Sequence, residues 1–153
     1  MRIAIGSDHA GYLLKEKVKA ELTALGHQVE DLGTTSAEVS VDYPDFSIAV
    51  GEAVASGRAE RGVVVCATGI GASIAANKVE GVRASVVTSD ETARLTRTDN
   101  DSNVLALGGR TLPSVDAALH WLRVWLETPF AAGRHERRVN KTRDYEAHHR
   151  STT

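Results

Sequence analysis

The sequence has only one cysteine, three prolines and two phenylalanines among its 153 residues, and no long apolar run. A single cysteine cannot form an internal disulfide, which favours a reducing compartment. No stretch approaches the length of a membrane span, and the apolar run in residues 1–6 is too short for a secretory signal peptide. We therefore expect a cytoplasmic protein that does not associate with membranes.

The sequence also has no excess of basic residues. It contains 18 Lys and Arg and 20 Asp and Glu, which gives a formal net charge of −2. Binding to phosphate backbones requires a basic surface, so nucleic acid is excluded as the main partner. The histidines are scattered and the cysteine stands alone, so no zinc pattern is present and we expect no metal. The 42% hydrophobic and 25% charged residues are ordinary for a globular protein.

Short β-branched runs alternate with longer helical patterns along the chain. The predicted strands are residues 2–6, 27–32, 62–66, 83–87 and 103–107, and the predicted helices are residues 10–25, 44–56, 72–78, 89–97 and 112–126. Right-handed crossovers between such elements predict a three-layer α/β/α sandwich with a five-stranded parallel, Rossmann-like sheet. We expect one domain over residues 1–147 and a flexible tail over residues 148–153.

Ligands of an open parallel sheet bind outside the carboxyl ends of its strands, where the strand order reverses. This rule selects residues 7–11 after the first strand and residues 66–73 after the third. Arg110 also follows the carboxyl end of a strand. The rule places residues 99–103 poorly, because they precede a strand.

Two interpretations remain open for the segment after the third strand. Gly69 and Gly71 lie at a strand-to-helix junction, where backbone N–H groups favour an anion. The segment lacks the third glycine of a dinucleotide fingerprint, and a tight turn also explains both glycines. Cys66 is either a buried small hydrophobe or a thiolate near a helix N-terminus.

Two polar segments also have two interpretations each. Asp8 fits a helix N-cap, and Asp8 with His9 fits a ligand site in which the carboxylate binds sugar hydroxyls and the imidazole binds a phosphate or hydroxyl. The cations that begin at Arg134 fit a solvated helix face. Four-residue spacing also aligns Arg134 with Arg138, and guanidinium groups bind phosphate through a planar fork.

Together these segments resemble type B ribose-5-phosphate isomerase, in the family of sugar-phosphate isomerases. The resemblance is collinear over about the first 140 residues. The motifs that carry it are Ser7-Asp8-His9-Ala10-Gly11, Asp42-Tyr43-Pro44, Cys66-Ala67-Thr68-Gly69-Ile70-Gly71, Ser73-Ile74-Ala75-Ala76-Asn77-Lys78, Asn100-Asp101-Ser102-Asn103, Gly108-Gly109-Arg110 and Gly133-Arg134-His135.

The resemblance implies interconversion of D-ribose 5-phosphate and D-ribulose 5-phosphate through an enediolate, without a metal or organic cofactor. It also implies a homodimer or a dimer of dimers whose active sites are shared between subunits. A sugar-phosphate-binding regulator that has lost catalysis is the non-enzymatic alternative, and Cys66 with the intact glycine loop speaks against it. A nucleotide-binding module is a weaker alternative because the dinucleotide glycine pattern is missing.

The roles of individual residues follow from the same resemblance. Cys66 matches the base that moves a proton between C1 and C2, and Thr68 belongs to the loop that stabilises the enediolate oxygen. Ala72 stands where one branch of the family has a glutamate base, so the chain resembles the cysteine branch. The implied substrate contacts are Asp8, His9, Tyr43, Gly69, Gly71, Ser73 and Asn100, and the implied phosphate contacts are Arg110, Arg134, His135 and Arg138.

Asp99 departs from the family pattern, which has a histidine here to assist opening of the furanose ring. Aspartate accepts protons at neutral pH but donates them poorly. Asp99 therefore acts as a base beside a second, donating group, or the enzyme uses spontaneously opened sugar, or the substrate never forms a ring. A tetrose phosphate fits the last case (D-erythrulose 4-phosphate to D-erythrose 4-phosphate), and ordinary drift at a tolerant position is the remaining explanation.

Overall fold

The computed structural model describes residues 1–150 as five strands and six helices. The strands are β1 (Arg2–Ser7), β2 (Gln28–Asp31), β3 (Arg61–Cys66), β4 (Ala84–Val86) and β5 (Val104–Gly108). The helices are α1 (Tyr12–Ala24), α2 (Tyr43–Ala55), α3 (Ile70–Ala76), α4 (Asp90–Thr98), α5 (Val115–Glu127) and α6 (Arg134–Arg150). All strand pairs are parallel, which confirms the predicted α/β fold with a five-stranded parallel sheet.

The strand order is β2-β1-β3-β5-β4, so the chain reverses direction across the sheet between β1 and β3. Ligands of such sheets bind beside this reversal, at the carboxyl ends of the strands. The order also places β5 between β3 and β4, so the loop after β5 is the direct neighbour of the loop after β3.

Alternate side chains of the central strands bury against helices on opposite faces of the sheet. Ile3, Val63 and Leu105 pack with α1, α4 and α5 in a cluster of large side chains. On the other face, Ala4 and Cys66 pack with α2 and α3 in a cluster built from alanine and valine. These two clusters form the three-layer sandwich, and they place the Cys66 side chain on the face that α3 covers.

Each predicted helix begins within three residues of its predicted start, and the shifts of α5 and α3 have clear local causes. Helix α5 begins at Val115 instead of residue 112, because the Ser114 hydroxyl accepts a hydrogen bond from the Ala117 amide and caps the helix. Helix α3 begins at Ile70, two residues earlier than predicted. Gly69 adopts a left-handed conformation with φ of 79° at its N-cap, which lets the chain turn sharply out of β3.

A sixth helix, α6, occupies the basic and polar C-terminal segment, where the sequence predicts no firm helix. Val139 is its only buried residue, and the Glu146 carboxylate ties it to the body by accepting a hydrogen bond from the Gly81 amide at 2.9 Å. Residues 148–150, expected in a flexible tail, are helical, and residues 151–153 lie outside the described residues. Neither α6 nor any other helix within residues 1–150 has both the length and the apolar composition needed to cross a bilayer.

Candidate active site

Hydrogen bonds between main chains tie the loops at the carboxyl ends of the central strands together. The Gly109 amide donates to the Cys66 carbonyl at 2.8 Å, and the Arg110 amide donates to the Ala67 carbonyl at 2.9 Å. These bonds hold the exposed Arg110 beside the end of β3. We call the assembly the strand-end cluster, and it comprises residues 7–11, Tyr43, residues 66–73 and residues 108–110.

Cys66 is the last residue of β3, and it is 4% exposed in the single chain. Its sulfur accepts a hydrogen bond from the Gly69 amide, with 3.1 Å between N and Sγ. The sulfur therefore lies under the turn at the end of the strand, arranged as an acceptor. The exposed Thr68 hydroxyl accepts from the Ile70 amide at 3.2 Å, so its own proton is available to a ligand.

Close contacts surround both glycines of this turn, and main-chain atoms make glycine a requirement at position 69. A Cβ at Gly69 would lie 2.9 Å from the Leu107 carbonyl carbon, and a Cβ at Gly71 would lie 2.6 Å from Cζ of Tyr43. The Tyr43 ring therefore packs directly on the turn. The turn is therefore tight, as one interpretation of the two glycines expects. A tight turn is compatible with a ligand site on the same main-chain amides.

The hydroxyl of Ser73 has a partner inside α3. It donates to the Ile70 carbonyl at 2.8 Å, so Ser73 can accept a hydrogen bond from a ligand but has no spare proton to donate. Of the hydroxyls that the sequence places near the turn, Thr68 is therefore the better donor.

Asp8 and His9 lie in the turn that joins β1 to α1. Asp8 is buried, and its Oδ1 accepts from the Gly11 amide at 2.9 Å. The N-cap of α1 is Gly11, so the interpretation of Asp8 as the N-cap is wrong, because its carboxylate bonds in the turn that precedes the helix. His9 uses Nδ1 to accept from the Val41 amide at 3.2 Å. Sequence reasoning could not single out Val41, because a main-chain donor has no side-chain signature.

The predicted residues 99 and 100 lie near the other end of the sheet. The Asn103 carbonyl accepts from the Gly62 amide at 2.9 Å, so the start of β5 is level with the start of β3. Cys66 lies four residues further along β3, a distance of roughly 13 Å at about 3.3 Å per residue. Asp99 and Asn100 therefore do not join Cys66 of the same chain.

Asp99 and Asn100 instead line a cavity of about 360 Å³ against α6, which we call the α6 cavity. His135 Nε2 lies 3.5 Å from Asp99 Oδ1, and the Thr98 hydroxyl donates to the same oxygen at 2.8 Å. Arg134 is exposed at the start of α6, one turn before Arg138. The remaining lining residues of the cavity are Arg83, Arg138, Val139 and Thr142.

Asp101, which the sequence does not mark as a site residue, holds this end of the sheet together. Its carboxylate accepts from Arg97 at 3.0 Å and from Arg143 at 3.3 Å, and its carbonyl accepts from Arg83 at 2.8 Å. Burial, reinforced by the charge of Arg143, lowers the pKa of Arg83. The three arginines are far apart in sequence, so only the folded chain reveals that they meet at the segment that carries Asp99.

The residues 1–150 contain no group of three or more His, Cys, Asp or Glu side chains placed to hold a metal ion. The acid–base groups of the strand-end cluster and the α6 cavity include a thiol, two carboxylates (Asp8 and Asp99) and imidazoles, together with hydroxyl and main-chain donors. This set is suited to moving protons on a small polar substrate.

Comparison with known proteins gives a consistent result. Residues 3–142 match the family described as Ribose/Galactose Isomerase. The chain is 43% identical to ribose-5-phosphate isomerase B of Escherichia coli over 90% of this chain and 91% of that protein. Its fold matches ribose-5-phosphate isomerase B of Clostridium thermocellum with a TM-score of 0.94 and 50% identity, covering 97% of this chain and 99% of the other.

A further solved relative carries a ligand. Ribose-5-phosphate isomerase B of Mycoplasma genitalium, solved with bound ribulose-5-phosphate, matches with a TM-score of 0.90 and 37% identity. The match covers 95% of this chain and 96% of that one.

Proposed function

The chain belongs to the Ribose/Galactose Isomerase family, and on this basis we propose that it interconverts D-ribose 5-phosphate and D-ribulose 5-phosphate. Relatives that are similar over nearly the whole chain bear the name of this activity. The observation that carries the proposal is the position of the Cys66 sulfur, bound to the turn at the end of β3 beside the Thr68 hydroxyl.

In the aldose-to-ketose direction, Cys66 removes the proton from C2 of the open sugar. The C–H electron pair forms the C1–C2 double bond, and negative charge collects on the C1 oxygen. A proton passes from the C2 oxygen to the C1 oxygen, and return of the first proton to C1 gives the ketose.

The free thiol that this step uses needs reducing surroundings, which supports a cytoplasmic location.

The negative oxygen requires donors that are in place before the reaction. The first N–H groups of a helix have no acceptor within the helix, which leaves the Gly71 amide at the start of α3 available beside the Thr68 hydroxyl. Loss of one such donor typically costs about 2.7–4 kcal/mol of activation free energy. These two groups are our candidates for stabilising the enediolate.

The active site is shared between two copies of the chain. The strand-end cluster and the α6 cavity lie at opposite ends of one sheet, so a sugar phosphate that contacts both must lie between two subunits. A twofold axis pairs each cluster with the cavity of the other copy and forms two equal sites. In this homodimer, or dimer of dimers, Arg134, His135 and Arg138 bind the phosphate from one side and Arg110 lies on the side of Cys66.

The pair of Asp99 and His135 supplies ring opening. The ring requires a proton to leave the anomeric hydroxyl and another to reach the ring oxygen. Asp99 is the acceptor, and His135, whose Nε2 lies 3.5 Å from it, is the second group that donates.

The proposal is tested by measuring ribose 5-phosphate turnover with the purified protein and with Cys66→Ser. We expect the wild type to turn over the pentose, and the variant to lose kcat by orders of magnitude with KM nearly unchanged. Binding without turnover by the wild type would instead indicate a regulator. A variant that changes only KM would remove Cys66 from the base role.

A further inference from the structure

We propose that Arg97 is a positioning residue: its guanidinium aligns the end of α4 with the linker that leads into α6, and thereby sets His135 against Asp99. The step that this alignment serves rests on the proposed function, whereas the alignment itself does not. Arg97 is buried, and within residues 1–150 the α6 cavity is lined by other side chains, so Arg97 acts through the pair and not on the substrate.

Three successive residues at the end of α4 hold the linker and the start of α6. In chain order, the contacts are Arg97 Nε donating to the Thr128 carbonyl at 3.1 Å, the Ala131 amide donating to the Thr98 carbonyl at 3.1 Å, and Asp99 Oδ1 lying 3.5 Å from His135 Nε2. The contacts advance together along both segments. The first contact, made by Arg97, therefore helps to set where the last one falls.

The same guanidinium also holds the residues that follow Asp99. Its NH1 donates to the Ser102 carbonyl at 2.6 Å and to Asp101 Oδ1 at 3.0 Å. Asp101 has a left-handed backbone with φ of 49°, which is uncommon for a residue other than glycine. One planar group thus fixes the chain after Asp99 as well as the linker that brings His135 to it.

The fork of the side chain, and not its charge alone, makes these contacts possible. Nε binds the linker while NH1 binds the segment after Asp99, and lysine has only one nitrogen for both. The charge is unfavourable for its surroundings, because burial and then the charge of Arg97 lower the pKa of the neighbouring Arg61 to about 10. Arg97→Lys therefore keeps the charge and most of the volume but loses the two-sided grip.

Ring opening needs both members of the pair in place. In the proposed reaction Asp99 accepts the proton of the anomeric hydroxyl, and His135 donates to the ring oxygen. A displacement of about 1 Å can cost about 100-fold in rate, even when the substitution lies away from the chemistry. Loss of the Arg97 fork should therefore impair the step that uses this pair.

The placement of His135 is measured in the free protein at pH 7, with ¹⁵N-labelled histidine and ¹H–¹⁵N correlation spectra of the imidazole rings. His135→Gln assigns the signals, and Asp99→Asn defines the shift caused by loss of the carboxylate. We expect Arg97→Lys to move the His135 signals in the same direction. Signals that stay at their wild-type positions in Arg97→Lys overturn the inference.

Arg123→Lys is the matched control. Arg123 lies on α5 and donates from NH1 to Glu21 Oε1 at 2.6 Å, so it also joins two helices through a guanidinium. It belongs to neither the linker nor the α6 cavity, and its replacement should leave the His135 signals and the turnover unchanged.

A double-mutant cycle separates positioning from a general effect on the fold. We expect Arg97→Lys to lower kcat for ribose 5-phosphate by between about 10-fold and about 100-fold in the wild type. In the Asp99→Asn background the same change should alter kcat by less than about threefold, because the pair that Arg97 aligns is already broken. Equal losses in the two backgrounds overturn the positioning role.

A second variant covers the case in which Arg97→Lys does not fold. Asp101→Asn weakens the anchor of the same guanidinium, and asparagine tolerates the left-handed backbone at this position. The same shift of the His135 signals is expected, and unchanged signals overturn the inference. Absence of ribose 5-phosphate turnover in the wild type, or an unchanged kcat in Asp99→Asn, defeats the proposed function of the pair instead, and the spectra still decide the alignment.

Discussion

Two inactive variants should restore activity when they are joined in one dimer. Cys66→Ser removes the proposed base from the strand-end cluster, and Arg138→Ala removes a cation from the α6 cavity. Each change alone damages every site of its own homodimer. The two changes lie on opposite ends of the chain's sheet, so a mixed dimer distributes them unequally between its two sites.

The size of the recovery follows from this geometry. One site of the mixed dimer receives both substitutions, and the other receives Cys66 from one chain and Arg138 from the other, both intact. Random pairing of equal amounts makes about half of the dimers mixed, so about a quarter of all sites are of wild-type composition. Mixed dimers purified by two different tags should reach about half of the wild-type turnover per site.

The assay is ribose 5-phosphate turnover by the co-expressed, doubly tagged protein. The matched control joins Cys66→Ser with Arg110→Ala, because both residues belong to the strand-end cluster and no site of that mixed dimer is intact. If purified mixed dimers of Cys66→Ser and Arg138→Ala were no more active than the parents, each chain would carry a complete site and the shared arrangement would be wrong.

Two other substitutions test the α6 cavity and the ion pair between Lys15 and Asp31. Asp99→Asn should slow ribose 5-phosphate turnover but spare a tetrose 4-phosphate, which cannot form a furanose ring; equal effects in side-by-side assays would assign Asp99 to binding. Asp31→Asn should lower the urea unfolding free energy by about 2 kcal/mol, because the fully buried Lys15 loses the charged partner 2.6 Å from its Nζ and keeps only the Glu16 carboxylate at 3.3 Å. An unchanged midpoint would refute this. Burial raises the pKa of Asp31, but hydrogen bonds from Lys15, the Gly33 amide and Lys19 outweigh it and leave the pKa below its ordinary 3.8. The stabilisation is therefore complete above that value and is lost as the pH falls through the folded pKa, which melting curves at acid pH should show for the wild type and not for Asp31→Asn.

The alternation of strands and helices was enough to predict the layers of the fold, because each element carries its own pattern of burial. It did not predict the order β3-β5-β4, since the composition of a buried strand does not select its neighbour. Helix α6 was anticipated only as one interpretation of the spacing of Arg134 and Arg138, and its length was not predicted. With Val139 as its only buried residue, it has no apolar period to detect.

The candidate site was predictable where a residue ends a strand, as Cys66 does, or directly follows one, as Asp8 does. The sequence could not divide the predicted arginines between the two ends of the sheet, because that division depends on the register of β5 against β3. The roles of Val41 and Asp101 also escaped prediction. The first acts through its main chain, and the second joins Arg97, four residues away, to the distant Arg83 and Arg143.

The insertion of β5 between its neighbours decides which charge accompanies the thiol. Had β4 stood beside β3 in simple succession, the adjoining loop would have been residues 87–89, followed by the carboxylate of Asp90 and containing no cation. Arg110 would have been displaced by one strand spacing, about 4.8 Å. The exchange of two strands therefore replaces an anionic neighbour, which would repel a phosphorylated compound, with a guanidinium that attracts it.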